Sequence, residues 1–123
     1  EAWIDEQALA GRRFALLGDF NRRFSLERLP ARDAAGQVQA LWPEIDDRDP
    51  PAADLKDVTA GQRFLACTKR DGFTEYIDTI LVGRDLARSI ERRGFVRVVF
   101  DEEDVGVRQL TDHCPVGAEL RLH

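Results

Sequence analysis

The sequence predicts an α/β (α+β) layered domain in which strands alternate with short helices. An apolar run at 14–18 ends at a glycine, and residues 95–100 are mostly apolar, with a single arginine among them. Apolar and polar residues alternate over 116–122, a pattern typical of a half-buried strand. We expect one domain, because 123 residues suffice for a single hydrophobic core.

The first half of the chain predicts one helix and one strand. Residues 1–10 predict a helix that ends at Gly11, and the strand at 14–18 follows it. The apolar residues spaced for one face of this helix are Trp3, Ile4, Ala8 and Leu9. Residues 22–37 are polar and predict a loop with a helical turn, and 41–45 form a short apolar anchor before an acidic, proline-rich loop.

The second half predicts mainly strands. We expect them at 64–67, 76–82, 95–100 and 116–122. A turn at 69–72 joins the first two, and a short helix at 85–93, ended by Gly94, precedes the third. The acidic run at 101–104 is interpreted as a solvated charged segment.

Composition limits the classes of function. With 43% hydrophobic and 33% charged residues the chain is typical of a soluble globular protein, and no apolar run is long enough to span a membrane. The net charge of −5 argues against a broad nucleic-acid surface and leaves a local one open. For Cys67 and Cys114, free buried thiols are favoured over a disulfide.

Asp19 and Asn21 are the first candidate site residues. They follow the strand at 14–18 at alternate positions, so in an extended backbone both side chains point the same way. A carboxylate and an amide at a strand end suit the binding of a phosphate, a metal ion or an attacking water. The plain alternative is that both residues cap a turn.

Two further candidates are His113 and Asp78. His113 follows Asp112 directly ahead of the last strand, which suits an acid/base or metal site, although this local pattern alone favours a surface histidine. Asp78 interrupts the apolar segment 76–82. Its spacing fits a solvent-facing strand residue and a functional carboxylate equally well.

Three segments together resemble the endonuclease/exonuclease/phosphatase superfamily, the deoxyribonuclease I-like fold. They are Leu17–Arg23 (LGDFNRR), Ile77–Val82 (IDTILV) and Thr111–Val116 (TDHCPV). Their order resembles the family motifs GDFN, ID-hydrophobic and SDHxP, with Thr111 keeping the hydroxyl of the usual serine. The resemblance implies that residues 1–123 are a single partial domain, the C-terminal half of a four-layered α/β sandwich.

The resemblance also implies roles for individual residues. Asp19 would orient or deprotonate the attacking water, and Asn21 would hydrogen-bond the phosphate or fix Asp19. His113 would contact the scissile phosphate, with Asp78 orienting its imidazole. Asp112 would belong to a site for Mg²⁺ (or Mn²⁺).

The implied function is metal-dependent hydrolysis of a phosphodiester or phosphomonoester, with nucleic acid among the candidate substrates. Only 18 residues precede Asp19, so we expect the metal-binding glutamate of the family's first half to be missing. The chain would then need that half or self-associate, because one face of its sheet would lie uncovered. The apolar residues expected on that face are Leu16, Ile80, Val98 and Leu120. The alternative is a non-catalytic binding or assembly module that retains the motifs.

Overall fold

The computed structural model describes residues 1–27, 32–67, 75–100 and 113–121 of a small mixed α+β domain. The helices are α1 (Ala2–Leu9), α2 (Trp42–Ile45) and α3 (Arg84–Ala87). The strands are β1 (Ala15–Asp19), β2 (Leu55–Asp57), β3 (Asp78–Gly83), β4 (Ile90–Arg97) and β5 (Val116–Leu120). Short 3-10 turns lie at Phe24–Leu26 and Pro51–Ala53.

The described strands form two antiparallel sheets. In the first sheet the order is β1-β3-β2, with β3 in the centre, and β4 pairs with β5 in the second. Residues 79–83 of β3 are all buried, which fits a central strand that is covered on both faces. The layered sandwich that the resemblance implies remains a prediction.

The core divides around β3 because successive side chains of a strand point to opposite faces. Leu81 belongs to a cluster with residues of α1, β1 and the loops before β2, whereas Ile80 and Val82 belong to a second cluster. Residues of β4 and β5, including Phe95 and Val116, pack against this second cluster. The two-stranded sheet therefore covers one face of β3 and brings the segment before β5 close to it.

The helix predicted at 1–10 and the last strand are confirmed. The chain forms α1 over Ala2–Leu9, and Gly11 adopts a positive φ of 63° just after it. The predicted apolar face of this helix is partly wrong, since Trp3 is half-exposed and Ile4 and Gln7 are the buried residues. Likewise, β5 occupies Val116–Leu120 of the predicted terminal strand.

The helix predicted at 85–93 is confirmed only in its first turn, because helix α3 stops at Ala87 and strand β4 begins at Ile90. The cause is pairing with β5, where Ile90 lies opposite Leu120. A Cβ at Gly94 would lie 2.8 Å from the Cβ of Glu119, so a glycine allows close approach of the two strands there. Non-local pairing outweighs the local helical pattern.

The strand predicted at 64–67 is wrong, and the prediction of free thiols is overturned. Residues 64–67 form no strand; instead Tyr76 Oη accepts from Leu65 N at 3.2 Å and donates to the Arg63 carbonyl at 2.9 Å. Cys67 and Cys114 form a disulfide. The turn predicted at 69–72 and the acidic run at 101–104 lie outside the described residues.

Burial also differs from expectation at several apolar positions. Strand β1 lies at the sheet edge, and Leu17 in its apolar run is 67% exposed. Of the residues expected on an uncovered face, Ile80 is only 3% exposed and thus covered, whereas Val98 and Leu120 are about half-exposed. Of the helices in the described part of the chain, none combines the length and apolar character that crossing a membrane requires.

Candidate active site

The pairing of β1 with β3 sets two carboxylates side by side. Asp19 lies directly opposite Asp78 in the antiparallel register, and the Phe20 amide continues the pairing by donating to the Ile77 carbonyl at 3.0 Å. Directly opposite residues of an antiparallel pair project from the same face of the sheet. The first and second predicted motifs therefore meet at one end of this sheet.

His113 joins the two carboxylates. Its Nδ1 lies 2.9 Å from Asp78 Oδ1, and its Nε2 lies 3.7 Å from Asp19 Oδ2. An ionised carboxylate only accepts hydrogen bonds, so Nδ1–H donates to Asp78 and Nε2 faces Asp19. The histidine side chain is 40% exposed, which leaves it accessible to a ligand.

Asn21 holds Asp19 through a turn, as the plain alternative to strand alternation predicts. Its φ is +50°, so the chain leaves the extended conformation there, in a region that asparagine tolerates. The Asn21 backbone amide donates to Asp19 Oδ1 at 2.7 Å, and its side-chain Nδ2 donates to Oδ2 at 3.0 Å. These hydrogen bonds, rather than strand alternation, bring the two side chains together.

Arg97 lies beside the site and is not among the residues that the sequence predicts for it. Its side chain is only 4% exposed, and its Nη1 lies 3.6 Å from Asp78 Oδ2. The same nitrogen donates to the Cys114 carbonyl at 2.5 Å, and the guanidinium carbon lies 5.1 Å from the centre of the Tyr76 ring. A lone charge inside an apolar segment was the available signal, because Asp78 interrupts its own segment in the same way.

A cavity of about 260 Å³ opens beside these groups. Asp78 and His113 supply polar atoms to its wall, and the other lining residues are Leu17, Gly18, Cys114, Pro115 and Val116. Gly18 has a φ of +152°, a conformation that other residues rarely adopt, so the glycine shapes the backbone just before Asp19. The cavity offers a mixed polar and apolar surface next to the histidine.

The donor set partly fits a metal ion. Asp19, Asp78 and His113 each offer a ligand atom within 4.8 Å of the others. Both oxygens of Asp78 already face His113 or the cationic Arg97, which leaves Asp19 as the carboxylate better able to bind a cation. Asp112, the predicted metal ligand, lies outside the described residues.

Arg22 is engaged within its own loop. Its Nη1 forms an ion pair with Glu27 at 3.2 Å and lies 3.4 Å from the Gln39 carbonyl. These contacts hold the Arg22 guanidinium against its own loop.

Comparison of the chain with models of protein families, with curated proteins and with solved structures finds no significant match. What the chain does is therefore inferred from its own residues. The described site consists of Asp19, Asn21, Asp78 and His113, with Arg97 buried behind Asp78.

Proposed function

We propose that this chain is a catalytic part of a metal-dependent phosphoesterase of the endonuclease/exonuclease/phosphatase type. The observation that carries the proposal is the position of His113, which binds Asp78 and faces Asp19. These residues come from three segments far apart in the sequence, and the same three segments carry the resemblance to the family. Their convergence at one sheet end supports a shared chemical task.

We propose that Asp19 orients the attacking water and accepts its proton. Its side chain is 31% exposed, and the hydrogen bonds from Asn21 hold both carboxylate oxygens in place. An oriented carboxylate can position a water and accept its proton as the new P–O bond forms, while the P–O bond to the leaving group breaks and the leaving oxygen keeps the electron pair. Asn21 thereby fixes the base, which is one of the two roles the resemblance implies.

His113 is the proposed contact to the scissile phosphate. Hydrolysis builds negative charge on the phosphoryl oxygens, and a positioned donor lowers the energy of that transition state. Since Asp78 holds Nδ1, Nε2 is the ring nitrogen left to contact a ligand, and in its protonated form Nε2–H can donate to a phosphoryl oxygen.

The proposed cofactor is Mg²⁺ (or Mn²⁺), bound by Asp112 together with Asp19. Such an ion supplies Lewis-acid stabilisation of the phosphoryl oxygens when bound. The position of Asp19 next to the histidine supports this assignment, because phosphate contacts and metal contacts must share one site. The substrate is proposed to be a phosphoester, and the net charge of −5 favours a small phosphodiester over duplex DNA as the first to test.

The test is hydrolysis of bis-p-nitrophenyl phosphate and of plasmid DNA with Mg²⁺ or Mn²⁺. It uses the 123-residue chain and the complete product of its gene, whatever the length of that product. Asp19→Ala should lower the rate by about 100-fold or more. Asp85→Ala, which removes an exposed carboxylate paired with Arg88, should leave it unchanged. Lack of hydrolysis in both proteins, or equal rates in Asp19→Ala, would overturn the proposal.

A second candidate is a binding or assembly module, and one observation favours it. Val96 is 46% exposed and lies opposite Gly117, which has no side chain to cover it. Val98 and Val99 continue this exposed apolar segment. Light scattering over a range of concentrations tests for association through it: Val96→Asp should abolish an assembly of this kind, and a monomer at every concentration contradicts it.

A further inference from the structure

We propose that Arg97 is a positioning residue, which holds both members of the Asp78–His113 pair through one guanidinium group. This role rests on the proposed phosphoesterase function. Arg97 contacts the carboxylate directly, and it reaches the histidine through the carbonyl of the next residue, Cys114.

The contacts of Asp78 show how its carboxylate is oriented. Oδ2 lies 3.6 Å from Arg97 Nη1, and Oδ1 lies 2.9 Å from His113 Nδ1. With a cation on one oxygen and the imidazole on the other, rotation of the carboxylate about its terminal bond would break a favourable contact. Arg97 therefore keeps Oδ1 directed at the histidine.

The backbone beside the histidine is held by the same group. Arg97 Nη1 donates to the Cys114 carbonyl at 2.5 Å, and Cys114 is fixed to Cys67 by the disulfide. The backbone that carries the His113 side chain is therefore held in place at the next residue, Cys114. One side chain of β4 sets the position of the acid on β3 and of the histidine before β5.

The environment of Arg97 suits an arginine and is not optimised for stability. The guanidinium lies over the Tyr76 ring at 5.1 Å, a packing that a planar group favours over an ammonium. Its Nε is buried and has no hydrogen-bond partner in the described part of the chain, which is destabilising. A buried cation kept at such a cost is typical of functional positions.

If Arg97 served only to hold strand β4 against strand β3, its loss would have a different effect. Loss of a contact that only holds the strands together would lower the free energy of unfolding without changing the tautomer of the His113 ring in the folded protein. The tautomer of the neutral ring separates the two roles, because the Asp78 contact favours the proton on Nδ1.

The experiment compares Arg97→Met, Arg97→Lys and the control Arg93→Gln, which changes an exposed arginine of the same strand. Nitrogen-15 shifts of the imidazole report the tautomer at about pH 8.5, where the ring is normally neutral. The spectrum of His123→Gln assigns the signals, since the chain has 2 histidines. Kinetics on bis-p-nitrophenyl phosphate give kcat and KM separately.

We expect Arg97→Met to lose part of the Nδ1–H population and to lower kcat by about 10- to 100-fold with KM nearly unchanged. Arg97→Lys should fall between Arg97→Met and the wild type, and Arg93→Gln should match the wild type. A folded Arg97→Met with wild-type tautomer and kcat overturns the proposal. If Arg97→Met does not fold, wild-type behaviour of Arg97→Lys overturns it instead.

The two readouts separate this proposal from the proposed function. If the wild-type protein hydrolyses no phosphoester, the function fails, and the tautomer still decides the role of Arg97. A changed tautomer then supports positioning of the Asp78–His113 pair, and an unchanged one contradicts it.

Discussion

Asp19 and Asp78 face each other across the β1–β3 pair, and His113 lies between their carboxylates. Two like charges at directly opposite positions destabilise an antiparallel pair. The histidine and Arg97 offset this repulsion, one of them bound to Asp78 at 2.9 Å and the other at 3.6 Å. An arrangement that opposes stability locally and is offset by specific partners is typical of a functional site.

Asp19→Asn tests the stability and the activity of the carboxylate pair separately. The substitution removes one charge and keeps an oxygen that accepts from the Asn21 backbone amide, but its amide nitrogen cannot accept from Asn21 Nδ2. Since the lost hydrogen bond opposes the relieved repulsion, we expect the free energy of unfolding to stay within about 1 kcal/mol of the wild type. Hydrolysis should fall by about 100-fold or more, because an amide cannot accept the proton of the water.

Urea unfolding and steady-state kinetics on the same preparation check this pair of effects. The matched control is Asp85→Asn, which removes an exposed carboxylate that pairs with Arg88. A large loss of stability in Asp19→Asn, or full activity, would contradict the assignment of Asp19.

Close packing at the end of β3 predicts that two glycine-to-alanine substitutions differ in their effect on stability. A Cβ at Gly83 would lie 2.5 Å from Cε1 of the buried Phe14, whereas a Cβ at Gly117 would meet nothing within 4 Å. Gly83→Ala should therefore destabilise the protein by about 1–3 kcal/mol. Gly117→Ala should stay within about 0.5 kcal/mol of the wild type.

Thermal and urea unfolding of both variants test the packing of Phe14 on β3. The double variant Gly83→Ala with Phe14→Leu should be less destabilised than the sum of its single changes, because the clash is shared. Equal stability of the two glycine variants would mean that this contact is not tight.

The disulfide between Cys67 and Cys114 predicts sensitivity to reductant. It closes a loop with a sequence separation of 47 residues, for which the chain-entropy model gives about 4 kcal/mol of stabilisation. Dithiothreitol should lower the urea midpoint accordingly, and activity should fall as well, because Cys114 follows His113. The variant Cys67→Ser with Cys114→Ser should be insensitive to reductant; a wild-type midpoint that dithiothreitol does not move would contradict the prediction.

The raised pKa of Asp46 should make the stability of the folded protein depend on pH. Burial, and to a smaller extent the Asp54 carboxylate, raises the pKa of Asp46 above its usual 3.8, although the Leu55 amide donates to its Oδ1 at 2.8 Å. The folded state therefore favours the protonated form, and stability is lost as the pH rises through the raised pKa. Asp46→Asn keeps an acceptor for Leu55 and removes the charge.

We therefore expect Asp46→Asn to be more stable than the wild type at pH 7, by less than about 1 kcal/mol because solvent screens this partly exposed group. The advantage should shrink as the pH falls below the folded pKa, where the wild-type carboxyl is also neutral. Urea unfolding across this range checks the sign. An advantage that grows towards low pH would contradict the assigned cause.

The structure brings four of the candidate residues together, although several elements predicted around them are wrong. The local patterns of His113 and Asp78 leave a surface position open for each, and only the resemblance of three segments joins them to Asp19 and Asn21 as candidates. The structure places these four side chains at one end of the β1–β3 pair. Arg97 was missed because its partner, Asp78, is distant in sequence and only the packing of β4 brings them together. Local composition carries no information about that distance.

The errors in secondary structure have the same physical origin. Residues 90–93 have a helical pattern, but pairing with β5 makes them extended, and β2 is too short for its periodicity to be recognised. The disulfide was not expected, because two cysteines carry no pairing information until the fold brings their Cα atoms to 5.5 Å. In each case a non-local contact decides the outcome.

The most direct test of the proposed function is the rate of bis-p-nitrophenyl phosphate hydrolysis with Mg²⁺ or Mn²⁺ in the wild-type protein and its His113→Gln variant. Glutamine keeps polarity at the site and cannot become a cationic donor to the phosphate. The proposal predicts metal-dependent hydrolysis that His113→Gln lowers by about 100-fold or more. Equal rates in the two proteins, or no hydrolysis by the wild type with either metal, would contradict it.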